Sequence, residues 1–179
     1  MSVRQRGADV RRRPLLFLDV DGPLIPFGGT GYRTHPGPWK ASGNPLLARL
    51  DPAIGARLLA LPCDPVWATT WVGEANESVA PALGLPELPV VEWPEPSADE
   101  GRDGLHWKTR PLLAWAGDHA FAWFDDEITP ADGAWAAAHH PQPTFLHRVD
   151  PRTGLTDTDF DALTRWLTAL PGLLIPPTA

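Results

Sequence analysis

Apolar residues along this chain fall into short blocks of two kinds, and the two kinds take turns. Leu15-Leu16-Phe17-Leu18 is an unbroken apolar run, the pattern of a strand buried on both faces of a sheet. Residues 65–69, 89–93, 121–124 and 144–149 have the same compact, β-branched or aromatic character and read as further strands. Between them the spacing turns helical. Asp51-Pro52 supplies a cap and a first-turn proline ahead of Ile54, Leu58 and Leu61 on one face. Residues 76–83 read as a short helix weakened by Pro81, and residues 109–116 as a helix with Pro111 in its first turn. Thr129-Pro130 with Asp132 caps a helix that ends near His139-His140, before Pro141. A last amphipathic helix carries Phe160, Leu163, Trp166, Leu167 and Leu170, with its capping box read at Thr158 and Asp161. Strands alternating with helices predict a doubly wound, three-layer α/β/α domain on a mainly parallel sheet. Residues 23–47, crowded with Gly and Pro, read as a loop or small hairpin leaning over the end of the first strand, and residues 94–106 as a surface loop. There is no internal repeat.

Composition narrows this picture. A chain of 179 residues, 43% hydrophobic and 21% charged, fits one globular domain, expected over residues 14–179 behind a disordered basic leader at 1–13. The lone Cys63 excludes an internal disulfide and a thiolate metal cluster, which fits a reducing, cytoplasmic setting. No apolar run reaches the roughly 18 residues of a membrane span, and the arginine-rich start lacks the apolar segment of a secretory signal. A net charge of −7 argues against stable nucleic-acid binding, since affinity for a polyanion rests on Lys and Arg neutralising phosphates. Arg4, Arg6 and Arg11 to Arg13 are a local exception, read as a solvated leader with a basic arm as the alternative.

The chemistry gathers where strands end. Asp19 and Asp21 follow the first strand one residue apart, so both start toward the same side, and Gly22 lets the backbone turn. Two like charges at the rim of a sheet raise each other's pKa, and a divalent cation would make the pair favourable. An EF-hand loop is excluded, because its third ligand position is Pro23, its glycine position Leu24 and its closing glutamate position Thr30. The glycines of residues 28–31 miss a dinucleotide fingerprint, whose last position is Thr34. The second strand ends in the hydroxyls Thr69 and Thr70, Lys108 precedes a helix, and the strand at 121–124 runs into Asp125-Asp126-Glu127. In a parallel sheet these converge at the carboxyl edge, where ligands of open α/β sheets bind. His139-His140 is read as a helix C-terminus, since adjacent residues face different sides and no further ligand pattern surrounds them.

The order of these features resembles the haloacid dehalogenase-like (HAD) superfamily of phosphotransferases. The four motifs stand as DVDG at 19–22, ATT at 68–70, WKT at 107–109 and WFDDE at 123–127. Within the superfamily the chain resembles the small RNA-repair-like group related to polynucleotide-end phosphatases. Pro23 departs from the common pattern, where many members place a threonine. The resemblance implies a HAD-like Rossmannoid core with a minimal cap or none, and a magnesium-dependent phosphomonoesterase with an aspartyl-phosphate intermediate. It implies Asp19 as nucleophile and Asp21 as general acid and base, with Lys108 as a catalytic, phosphate-binding cation. Thr69 and Thr70 would bind phosphoryl oxygens. Mg²⁺ would sit on the Asp19 carboxylate, the Asp21 carbonyl and Asp125, steadied by Asp126 through Lys108 or a water. The substrate would be a phosphorylated small molecule or a nucleic-acid end. Two rivals are a receiver-like phosphate sensor, for which Glu92 would be the phosphorylated acid, and an inactive HAD scaffold that binds a partner.

Overall fold

The computed structural model describes residues 12–37, 43–95 and 104–171. The leader through Arg11, residues 38–42 and most of the loop at 94–106, and residues 172–179 of the expected domain, lie outside the described residues. Four strands form a fully parallel sheet in the order β2-β1-β3-β4, with β1 at Leu15–Leu18, β2 at Asp64–Trp67, β3 at Phe121–Asp125 and β4 at Thr144–Arg148. β1 is an inner strand, and Leu16, Phe17 and Leu18 have no exposed surface. That explains why its sequence never alternates, since both faces are covered.

Helices α1 (Pro52–Ala60), α2 (Ala80–Leu83) and α5 (Asp157–Ala169) cover the face that receives Leu16, Leu18 and Val20. Helices α3 (Thr109–Ala116) and α4 (Pro130–His139) cover the face that receives Leu15 and Phe17. The result is the α/β/α arrangement that the alternation predicts, and no cap domain is evident among the described residues. No described helix is long and apolar enough to cross a membrane. Cys63 is buried, which pushes its thiol up to about 12 and leaves it unreactive.

Some elements differ from the sequence expectation. Residues 89–93 make only an isolated parallel bridge, Val90 against Trp67. Pro65 and Pro89 lack the N–H a longer ladder would need, so pairing is confined to the two bonds around Trp67, from Trp67 N–H to Pro89 O and from Val91 N–H to Trp67 O. The helix read at 76–83 is a π-helical turn, Ala75–Val79, passing into the single turn of α2. Asn76 anchors it by accepting from Trp67 Nε1 and Leu88 N–H and donating to Leu88 O. The capping box of α5 is Thr156 with Asp159 rather than Thr158 with Asp161. The same spacing recurs two residues earlier, and that choice lets Asp159 also meet His147 Nε2 of β4 at 2.7 Å. Arg13, read with the leader, is docked: it donates to the carbonyls of Leu61 and Cys63 and pairs with Asp64 at 3.0 Å.

Candidate active site

Parallel register brings Asp19 beside Asp125. Leu18 lies opposite Phe124, and the next step of the ladder is the bond from Asp19 N–H to Phe124 O at 3.0 Å. Lys108, at the entry to α3, reaches between the two acids and donates to Asp19 Oδ2 and Asp125 Oδ2, both at 2.8 Å. The remaining oxygens are held by backbone: Asp19 Oδ1 accepts from Val20 N–H and Asp125 Oδ1 from Glu127 N–H. All three side chains are buried, with Asp19 8%, Lys108 3% and Asp125 0% exposed. Burial raises the Asp19 carboxyl to about 7, with Asp125 adding to the rise and Lys108 opposing it. For Lys108 burial works against the ammonium, yet the two carboxylates hold it above its ordinary value.

Strand-end charges of this kind usually sit in water; here they do not. Lys108→Ala would leave two buried carboxylates facing each other with no ammonium between them. It is expected to lower stability by about 3–5 kcal/mol, read as a shift of the urea midpoint.

Asp126 lies next to this pair, and one ligand oxygen each from Asp19, Asp125 and Asp126 falls within 4.8 Å of the others. Partial burial and the neighbouring Asp125 raise its carboxyl. Gly22 makes this closeness possible. Its φ is +85°, and a Cβ there would stand 2.7 Å from Asp126 Cγ. Three carboxylates against one ammonium leave an excess of negative charge on hard oxygen donors, a set that fits Mg²⁺.

Asp21 is half-buried, and its Oδ2 accepts from Trp71 Nε1 at 2.9 Å. Thr69 is fully buried; its hydroxyl oxygen accepts from Trp71 N–H at 3.3 Å and its carbonyl from Trp93 Nε1 at 3.0 Å. Among the described residues the Thr69 hydroxyl makes no bond as a donor, so its proton is available. Thr70 is exposed. Trp93 and Trp107 meet edge to face at 4.8 Å and flank Lys108, whose Nζ lies 6.0 and 5.7 Å from their rings.

A second ring of contacts fixes Lys108. Asp132, fully buried at the start of α4, accepts from His106 N–H, from the Thr109 hydroxyl, and from both the N–H and the hydroxyl of Thr129. Lys108 N–H donates to His106 Nδ1 at 3.1 Å, which leaves Nε2 to donate to Glu127 Oε2 at 3.2 Å. The cap of α4 thus doubles as the clamp on the loop that carries Lys108. Burial works to raise the Asp132 carboxyl, and the hydrogen bonds from Thr109, Thr129 and His106 overcome it and hold it below its ordinary value. With a depressed folded pKa, its stabilising share is present above about pH 4 and lost as pH falls through the folded value. Asp132→Asn is expected to destabilise by about 2 kcal/mol at neutral pH and to flatten the acid limb of the stability profile, measured by urea unfolding between pH 3 and 7.

The structure thus brings Asp19, Lys108, Asp125 and Asp126 together, with Asp21 and Thr69 linked through Trp71. In the sequence Asp132 reads only as a helix cap, and His106, Trp71 and Trp93 belong to no site pattern. The sole local signal was the run of Trp residues near the motifs.

An inner parallel strand that runs into two aspartates, with a buried lysine and a third and fourth acid at the end of the adjacent strand, defines a HAD-type core. Residues 15–160 match the family described as the HAD domain in Swiss Army Knife RNA repair proteins, and the chain belongs to that family. No curated protein and no solved structure matches it.

Proposed function

We propose that the protein is a Mg²⁺-dependent phosphomonoester hydrolase that works through an aspartyl-phosphate at Asp19 and acts on the phosphorylated end of a nucleic acid. The observation that carries the reading is the buried Asp19–Lys108–Asp125 cluster at the carboxyl edge of the sheet. A fold has no use for a raised carboxyl and an unbalanced acid group there, whereas phosphoryl transfer does. Asp19 forms a bond to phosphorus as the ester P–O bond breaks, and Asp21 gives a proton to the leaving oxygen. Water then attacks the same phosphorus, Asp21 takes its proton, and the acyl phosphate opens to release phosphate and regenerate Asp19. Trp71 holds the Asp21 carboxyl in place during both steps. Thr69, with Thr70 beside it at the exposed rim, donates to phosphoryl oxygens, and Lys108 offsets their charge. Mg²⁺ on Asp19, the Asp21 carbonyl and Asp125, with Asp126 adjoining, would add positive charge where the phosphoryl oxygens bind.

Membership of an RNA-repair family and the absence of an evident cap among the described residues favour a large substrate presented end-on. The net charge of −7 is compatible with an end that visits and leaves, held by one phosphate rather than by a long backbone track. A receiver fits less well, because Glu92 is exposed beside a single bridge and carries none of the cluster. The test is phosphate release from 3′- and 5′-phosphorylated oligoribonucleotides and from a chromogenic aryl phosphate, with and without Mg²⁺. Sustained release that requires Mg²⁺, with an oligonucleotide preferred, is expected; a lack of multiple turnovers on every ester would overturn the reading.

A further inference from the structure

A cleft of about 320 Å³ opens beside the loop that leaves Asp21, and none of Asp19, Lys108 and Asp125 lines it. Its walls are the segments around Pro23–Tyr32 and Arg152–Leu155 together with the start of α1. The loop is pinned on both sides, by the bonds from Leu155 N–H to Pro23 O and from Phe27 N–H to Pro151 O. Two chemistries meet there. The floor is apolar, made by Leu24, Ile54, Leu83 and Leu155, all buried members of one core cluster. The rim is cationic: Arg33, Arg49 and Arg152 converge on it against the single carboxylate of Asp51.

Those four charged groups are not equivalent. Asp51 is engaged as the cap of α1, accepting from Ala53 N–H at 2.9 Å, with His35 Nδ1 at 4.0 Å. Arg49 is fixed as part of the wall, donating to Pro26 O at 2.8 Å and lying 4.4 Å over the Tyr32 ring. Arg33 and Arg152 are exposed, and neither guanidinium forms an ion pair with a described residue. In a chain with a net charge of −7, three guanidinium groups around one concavity make a local excess of positive charge. An apolar floor under a fork-shaped cationic rim matches a ligand that is apolar-faced at one end and anionic at the other.

We propose that this cleft binds a nucleoside phosphate unit, with the base on the Leu24–Leu155 floor and the phosphate between Arg33 and Arg152. The unit is supplied either by a free nucleotide or by an internal residue of a nucleic-acid strand. The second source deepens the reading of the Asp19 site, since a strand held here would lie against the loop that follows the nucleophile; the first stands apart from it.

Two probes without a removable phosphate separate the sources: an unphosphorylated oligoribonucleotide, followed by fluorescence anisotropy, and the methyl ester of adenosine monophosphate, followed by calorimetry. Both are titrated into the full chain with Mg²⁺ present. Affinity for at least one probe is expected to fall about tenfold or more in Arg33→Ala/Arg152→Ala. Arg165→Ala, which removes an exposed charge on α5 away from the cleft, should leave it unchanged. Loss confined to the oligonucleotide assigns the strand as source, and loss for the mononucleotide ester assigns a free nucleotide. The proposal is overturned if neither probe binds the wild-type protein, if the double variant binds both as the wild type does, or if Arg165→Ala loses as much. Aryl phosphate turnover, measured on the same samples, reads the Asp19 site separately. Unchanged turnover with lost binding assigns the cleft its own role, whereas a wild-type protein that binds the probes but turns nothing over refutes the hydrolase and leaves the cleft standing.

Discussion

Asp19→Asn is expected to reduce turnover by on the order of 10⁴-fold or more, because the amide cannot form the acyl phosphate on which both proposed half-reactions depend. The fold should survive. Asn matches Asp in shape, and its amide oxygen keeps one acceptor for Lys108 or Val20, while Lys108 retains Asp125. Burial raises the Asp19 carboxyl to about 7 from an ordinary 3.8, so its share of stability is present below that ordinary value and lost as pH rises through the folded one. At pH 8 the neutral amide therefore replaces an unfavourably buried charge, and the urea midpoint of the variant should be no lower than that of the wild type. Turnover near the wild-type value, in protein shown by mass spectrometry to be free of deamidation, would remove Asp19 as the nucleophile.

Asp21→Asn and Asp125→Asn are expected to fail differently, although both acids stand beside one cluster. Asp21→Asn should lower kcat by about 10²–10⁴-fold at saturating Mg²⁺, the usual worth of a positioned proton donor. The amide oxygen can still accept from Trp71 Nε1, and the backbone carbonyl proposed as a metal ligand is untouched, so Mg²⁺ affinity should hold. The deficit should shrink on an activated aryl phosphate, whose leaving oxygen needs little protonation. Asp125→Asn removes a proposed anionic ligand and one of the two carboxylates on Lys108, so weaker Mg²⁺ binding and partial rescue by excess Mg²⁺ are expected. Calorimetric Mg²⁺ titration with rates on aryl and alkyl phosphates distinguishes the two. Metal rescue of Asp21→Asn, with equal losses on both esters, would reassign Asp21 as a side-chain ligand.

The sheet was readable because its signals are local. An unbroken apolar run in β1 means two covered faces, and caps such as Thr129 with Asp132 need only four consecutive residues. The gathering of Asp19 and Asp125 at the carboxyl edge followed from parallel topology, whereas their alignment side by side depends on β1 and β3 being neighbours in register. What could not be read depends on distant partners. Trp71 meets Asp21 across 50 residues, and Lys108 meets Asp19 across 89, a separation at which periodicity says nothing about depth. The burial of Lys108, and with it the stability it contributes, therefore emerged only from the fold. Asp132 shows a related limit, since its sequence context explains the cap completely and hides the contacts with His106 and Thr109. Where two capping boxes compete, as at Thr156 and Thr158, the choice belongs to His147 on β4, which rewards one of them.

The covalent intermediate is the claim on which the rest of the functional account depends, and acid-quenched single turnover tests it most directly. Enzyme in excess over a phosphorylated substrate with Mg²⁺, stopped within the first turnover and digested, should yield a peptide spanning Asp19 that is heavier by one phosphoryl group. Hydroxylamine should discharge that group, as it does an acyl phosphate, and the adduct should be missing from Asp19→Asn and from samples without Mg²⁺. A wild-type protein that turns over while the phosphoryl group is found on another residue, or on none at any quench time with hydrolysis by direct attack of water, would contradict the assignment of Asp19.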